Sequence, residues 1–305
     1  MLKYLLKRLF YAVFVLFGVA TIVFFLTRLT GDPVAIMLPP DAGQAQIDQL
    51  RNTLGLDKPL LVQYGIYLKN LLRFDFGQSI RYFEPASNLL LEKLPATLQL
   101  ALSAMIFSLC VAIPAGIIAA LKKGSALDQG IMLLVMAGQS MPVFWIGILL
   151  IMLFALQLHW LPTGGYGGIK NLIMPSIALG FNLMTLTTRL LRSSLIEVME
   201  TDYIRTARAK GLRLKAVITK HALRNSLLPV VTVVGLQLGA MLGGSVVTET
   251  VFAWPGVGQM LVQAIQYRDF PLVQATIITL AGGFVLINLI VDILYVFIDP
   301  RIHLK

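Results

Sequence analysis

Nineteen consecutive residues, Leu9 to Thr27, carry no charged side chain, and apolar stretches of similar length recur as far as residue 298. About twenty apolar residues in a helix cross the roughly 30 Å hydrocarbon core of a bilayer. Inside that core a backbone N–H or C=O finds no water, so each stretch must close its own hydrogen bonds as a helix. Hydrophobic residues make up 57% of the 305, charged residues 13%, and mean hydropathy is +0.80. The reading is an all-α integral membrane protein with six transmembrane helices, near 9–27, 94–121, 128–156, 171–188, 229–248 and 272–298. The first run is longer than the apolar region of a signal peptide and ends in Thr27-Arg28-Leu29-Thr30 without a small-residue cleavage site, so it is expected to stay as a span.

Three regions follow. Residues 1–30 hold the N-terminal segment and first span. Residues 31–94 contain seven acidic and six basic residues punctuated by Pro33, Pro39, Pro40, Pro59 and Pro85, and are expected to form a small extracytoplasmic domain of short helices with apolar positions such as Ile47, Leu50 and Leu54. Residues 95–305 hold the remaining five spans, interrupted by a basic loop at about 193–229. Proline is expected to kink the second span at Pro114, whereas the third is expected to continue past Pro142.

The net charge of +10 does not indicate nucleic acid, because the basic residues are scattered between apolar spans and form no face with stacking aromatics. Membrane orientation accounts for them better. With both termini inside, the cytoplasmic segments carry sixteen basic residues against five acidic, and the outer segments nine of each. Cys110 is the sole cysteine, which leaves no intrachain disulfide, and its apolar surroundings predict a buried packing residue. His159 has no second metal-ligating residue near it and is expected at the lipid headgroups beside Trp160. No metal-ligand spacing is present. In the fifth span Gly235, Gly239 and Gly243 repeat every four residues, which permits close helix packing, and a pore-lining face is compatible with the same glycines. Asp292, near the inner end of the last span, is expected to be hydrated or paired with a neighbouring helix.

The basic loop has internal order. Tyr203, Thr206, Ala207 and Lys210 fall at helical spacing and Gly211 follows where a left-handed glycine would end a helix. Leu214, Val217, Ile218 and Ala222 then recur at i, i+3, i+4 and i+8, which predicts a second amphipathic helix. Small residues (Ala207, Ala209, Gly211) beside cationic ones describe a knob that another surface could approach closely, with Arg and Lys pairing to its carboxylates.

The run TDYIRTARAKGL, followed by HALRNSLLPVVT, resembles the cytoplasmic loop of the permeases of dipeptide, oligopeptide and nickel-type ABC importers. The Glu-Ala-Ala…Gly pattern of ABC importers in general is met by Arg205, Thr206, Ala207 and Gly211, so the glutamate is absent. The later Ile-x-Leu-Pro element is represented only by His221, Ala222, Leu223 and Arg224. Gly31-Asp32-Pro33, the segment from Leu54 to Pro59, Asp75 to Ser79, and the outer-loop string ETVFAWPGVG with its turn at Glu249, Trp254, Pro255 and Gly256 resemble the same permeases. So does Asp299-Pro300-Arg301-Ile302.

That resemblance implies a permease fold like that of type I ABC importers, multi-pass in a bacterial cytoplasmic membrane among its lipids. It implies a second, related permease as heterodimer partner, two cytoplasmic ATPase subunits and an extracytoplasmic substrate-binding protein. It assigns Tyr203, Arg205, Thr206, Ala207, Arg208, Lys210 and Gly211 to coupling with the ATPases. ATP and Mg are then bound by those partners, since nothing here matches Gly-x-x-x-x-Gly-Lys-Ser/Thr. The implied cargo is short peptides, with glutathione-like peptides, nickel chelates or oligosaccharides as alternatives. A secondary transporter would be expected to show broken helices and midplane ionisable groups, which the spans do not suggest. An enzyme would need convergent catalytic groups, and no paired carboxylates, His clusters or HExxH string occur in the spans.

A reporter fused after Lys123 or Arg208 is expected to be cytoplasmic, and one near Asp48 or Tyr166 external. Cleavage at Arg208 by protease added outside intact cells would contradict this topology.

Overall fold

The computed structural model describes residues 2–29 and 43–298, and among these every regular element is helical. In chain order these are α1 (Leu2–Leu29), α2 (Gln44–Leu54), α3 (Leu60–Leu71), α4 (Ala86–Leu121), α5 (Ala126–Gln139), α6 (Val143–Leu150), α7 (Ile169–Met199), α8 (Asp202–Ala209), α9 (Leu214–Ser226), α10 (Leu228–Val251), α11 (Val257–Gln266) and α12 (Phe270–Ile298). The Gly31-Asp32-Pro33 and Asp299–Ile302 motifs lie outside the described residues.

Four helices are long and apolar enough to cross a membrane: Leu6–Leu29, Ala86–Leu121, Ile169–Met199 and Phe270–Ile293. Of the six spans expected, these account for four, and the other two expected spans fall on pairs of helices joined at a sharp bend, which give six only if each bent pair is counted as one span. Between α5 and α6 the chain turns by 108°, and between α9 and α10 by 50°. The third span therefore does not continue past Pro142. Proline lacks an N–H and disfavours helix in the residue before it, and here Pro142 is extended (φ −62°, ψ 142°) and starts a new helix. α6 runs on into a π-helical stretch, Ile151–Gln157. Pro95, Pro114 and Pro175, in contrast, lie within continuous helices. α4 begins at Ala86, eight residues before the expected start, and α7 continues to Met199, well into the stretch read as a loop.

The chain divides into two compact units, Met1–Thr97 with Pro255–Leu286, and Leu98–Trp254 with Ile287–Lys305. In the first, α3 lies along α1. Phe24, 1% exposed, meets the rings of Tyr64 and Tyr67 with centroids 5.3 and 5.2 Å away, and Thr21 Oγ1 lies 2.6 Å from Tyr64 OH. Burial, with Tyr64 adding to it, pushes the Tyr67 phenol up to about 12. Ala86, Leu89 and Leu90 of α4 pack with Val257, Met260 and Ala264 of α11 and with Leu272, Val273 and Ala275 of α12. Buried Asp269 starts α12. It accepts from the Leu272 N–H (3.2 Å), the Arg81 N–H (3.2 Å) and the Ser79 hydroxyl, which fastens residues 79–81 to that helix.

In the second unit α7 is the central element and packs against α5, α6 and α10. A β-carbon at Gly180 would come 2.5 Å from the Ala104 carbonyl oxygen, so glycine is what lets α4 and α7 touch backbone to backbone. Ser103 and Ser176 hydrogen-bond across the same contact at 2.8 Å. Cys110 is exposed on α4, contrary to the expected burial; the neighbouring small residues Ala104 and Ala112 take the packed positions instead.

An ion pair with a buried carboxylate ties α5 to α7. Arg192 donates through Nε and Nη2 to the two oxygens of Asp128, each at 2.6 Å, and the Gly124 N–H donates to the same carboxylate at 2.9 Å. Ser125 caps α5 by accepting from the Asp128 N–H. Asp128 is 3% exposed and the Arg192 side chain 23%, so removing the carboxylate leaves a half-buried guanidinium that water reaches only in part. Asp128→Ala is expected to destabilise this unit by about 1 to 3 kcal/mol, between the values for exposed and fully buried pairs, read as a lowered Tm of the detergent-solubilised protein. Arg192→Lys, which keeps the charge but loses the planar fork, should cost less. An unchanged Tm in Asp128→Ala would show that the pair contributes nothing.

Candidate functional site

The knob expected from the sequence is present and is shorter than its loop, because α7 already occupies residues up to Met199. α8 opens after Thr201 and ends at Lys210, where Gly211 takes φ +77°. The Gly211 N–H donates to the Arg208 carbonyl (2.9 Å) and the Leu212 N–H to the Ala207 carbonyl (3.4 Å). This crossed pair is the Schellman closure, and its left-handed residue is the glycine that the sequence spacing predicts. Nothing lies within 4 Å of a β-carbon placed there, so the constraint at Gly211 is backbone conformation and not space.

α9 departs from the expected α-helical stripe. Residues Val217–Ala222 form a π-helical turn, hydrogen-bonded i to i+5, which stacks Val217 over Ala222. Both are fully buried and Ile218 nearly so, whereas Leu214, expected on the same stripe, is 57% exposed. Val217 and Ala222 join Ile204 and Ala207 of α8, Leu195 of α7 and Ala120 of α4 in one apolar cluster. Asn225 Nδ2 donates to Tyr203 OH at 2.7 Å and holds the two short helices together at their surface. The knob is thus seated on the end of α7 through packed side chains.

Of the seven coupling residues expected, Tyr203, Arg205, Thr206, Arg208, Lys210 and Gly211 are exposed together on this knob. Ala207 is not; it points into the cluster at 7% exposure, so its small size serves the interior of the knob and not an approaching surface. From Thr201 to Ser226 there are seven basic residues and one acidic, Asp202, which pairs with Arg205 at 3.0 Å on the surface. The outward face is strongly cationic. Sequence reasoning misses the Asp128–Arg192 pair, and Lys123 Nζ on Glu200 Oε1 at 3.3 Å. A signal exists: Asp128 is the only acidic residue between Gly124 and Thr188.

The other expected positions are distributed elsewhere. A β-carbon on Gly235 would overlap the Val291 side chain of α12, which supports close packing at that point. Gly239 is buried, and Gly243 is exposed with open space around it, so the three do not act as one packing face. Asp292, next to Val291, is buried. Glu249 belongs to α10, not to the outer turn, and is fully buried. The turn's left-handed residue is Ala253 (φ +48°), while Gly256 is extended ahead of α11. Trp254 is 1% exposed and its N–H donates to the Glu249 carbonyl at 2.8 Å; Tyr166 meets its ring edge-on at 4.9 Å.

Comparison with known proteins accords with this architecture. Residues 112–304 match the family described as binding-protein-dependent transport system inner membrane component, and residues 1–101 match the N-terminal region of such membrane components. The chain is 41% identical to the dipeptide transport system permease protein DppB of Alkalihalophilus pseudofirmus, with 99% of each covered. It is also 41% identical to the di/tripeptide transport system permease protein DppB of Pseudomonas aeruginosa, again over 99% of each, and to the glutathione transport system permease protein GsiC of Escherichia coli K12, over 100% of each. Among solved structures, the MetNI methionine ABC transporter in inward-facing conformations superposes with a TM-score of 0.58, at 19% identity, over 69% of this chain and 96% of that one. At that identity the likeness concerns the fold alone. This chain belongs to the binding-protein-dependent transport system inner membrane components, and among them to the permeases of peptide ABC importers.

Proposed function

We propose that the chain is one of two related permease subunits of an ATP-driven importer of short peptides, and that the knob formed by α8 and α9 docks on a cytoplasmic ATPase subunit. The observation that carries this reading is the seating of the knob: an exposed cationic face stands on an apolar cluster that includes Leu195 of α7 and Ala120 of α4. A push on that face is delivered to two long helices through packed side chains, because close-packed interiors transmit strain instead of absorbing it. Closure of the ATPase pair on ATP would then move α7, and with it the helices packed on α7. Cargo arrives from an extracytoplasmic binding protein. The names of the 41% identical relatives, covering dipeptides, di/tripeptides and glutathione, support short peptides as that cargo.

Two variants test the coupling. Gly211→Val forces a branched side chain into a left-handed backbone, at a cost of about 1 to 3 kcal/mol, and should distort the turn between α8 and α9. It should insert in the membrane normally yet lose peptide uptake and binding-protein-stimulated ATP hydrolysis together. Full coupled uptake at normal abundance would contradict the proposal.

Arg208→Glu reverses one charge on the exposed face; the contact of Arg208 toward the cluster is with the sulfur of Met199, at 3.8 Å, a residue that packs against the cluster's edge. The reconstituted complex is expected to hold its ATPase subunits more weakly, and more so at high ionic strength. Unchanged co-purification of the ATPases across that range would exclude Arg208 from the contact.

A further inference from the structure

Within the second unit, α5, α6, α7 and α10 line an open cavity of about 340 Å³ to which Gln139, Asn182, Thr185 and Gln237 contribute polar side chains. That volume lies within the range of small-ligand sites, about 300 to 1,000 Å³. Three features set it apart from packing between apolar helices. The break at Ser140–Pro142 falls at its edge, with Gln139 before the break and Val143, the first residue of α6, after it. Interrupted helix at membrane depth is tolerated where it is buried in protein or lines a water-filled space. Asn182 is exposed and Gln237 half-buried, and their side-chain amides have no hydrogen-bond partner among the described residues, which leaves them free for a solute in the open cavity. Thr185 is 1% exposed and its Oγ1 is likewise unpaired among them.

Polar groups between membrane helices usually bond one another, because hydrocarbon offers no substitute. Here one does: Gln139 Oε1 accepts from Arg189 Nη1 at 3.1 Å, which leaves its amide N–H groups as donors. The other three are left open around one space. Each amide side chain offers both a donor and an acceptor, which are the two functions of a peptide bond.

We infer that Gln139, Asn182, Thr185 and Gln237 form this chain's share of the transport path and hydrogen-bond the backbone amides of a passing peptide. The inference rests on the peptide-importer reading given above. Apart from Arg189 at its rim, the wall is neutral. Recognition of the peptide bond by neutral groups is indifferent to the cargo's side chains, and neutral contacts hold a solute weakly enough to release it.

The test uses the full complex in proteoliposomes with its binding protein, and dialanine as probe. Asn182→Leu and Gln237→Leu keep side-chain bulk and remove hydrogen bonding. Each should lower dialanine uptake by roughly three- to tenfold, the loss expected for one or two hydrogen bonds, while binding-protein-stimulated ATP hydrolysis stays within about twofold of the unaltered complex. In a Cys110→Ser background, Gln237→Cys should react with a charged thiosulfonate at least about tenfold faster than Leu133→Cys, an exposed position on α5 outside the cavity, because only a wetted wall admits the reagent and forms its thiolate. Undiminished uptake in both leucine variants, or equal thiol reactivity at the two positions, would overturn the inference and leave the importer reading intact. Absence of dialanine uptake by the unaltered complex would overturn the peptide cargo and with it the ligand assigned here.

Discussion

In hydrocarbon an unpaired backbone amide has no water to fall back on, and that constraint shapes this chain before any side chain is considered. It makes α1, α4, α7 and α12 helices long enough to cross a membrane, and it makes the interruption at Ser140–Pro142 exceptional. Broken helix in such a setting needs a reason. Here the break lies beside a cavity with polar side chains from α5, α7 and α10, so the backbone irregularity and the side-chain polarity occur at one place.

α7 carries the second unit. Its mid-length glycine, Gly180, brings it onto the backbone of α4; its last turns hold Arg192 against Asp128; and its end supplies Leu195 to the cluster beneath the knob. The knob itself needs little of its own. One left-handed glycine turns the chain between two short helices, and one π-helical turn aims Val217 and Ala222 at the same cluster. Everything cationic is then left facing outward. A surface of this kind is suited to a partner with carboxylates, and its seating on α7 would carry a push from such a partner into that helix.

Much of this is legible in the residues. Gly211 ends its helix because the spacing of Tyr203, Thr206, Ala207 and Lys210 puts a glycine at the position where a Schellman closure needs one. The peptide-permease strings along the chain point to the family through residue identity alone. Other features escape a reading of the residues because they depend on partners far away in sequence. Pro142 breaks its span while Pro95, Pro114 and Pro175 do not, although each of the four lacks the same backbone N–H. Leu214 falls on the buried stripe only if the period is α-helical, and the π-helical turn changes the period. Ala207 looks like surface because small residues suit close approach, yet the same smallness suits a tight interior. Cys110 is exposed because α4 presents another face to its neighbours, and no periodicity in so uniformly apolar a helix distinguishes its faces.

The most direct measurement of the central claim is covalent capture of the knob by its partner. With Cys110 replaced by serine, Arg208→Cys in the assembled importer should form a cross-linked adduct with an ATPase subunit when a short thiol-to-amine linker is added, whereas Tyr166→Cys, in the loop before α7, should not. An adduct whose yield changes when ATP is supplied would accord with a knob that moves with the ATPases. No adduct from Arg208→Cys, or equal yields from both positions, would contradict the account.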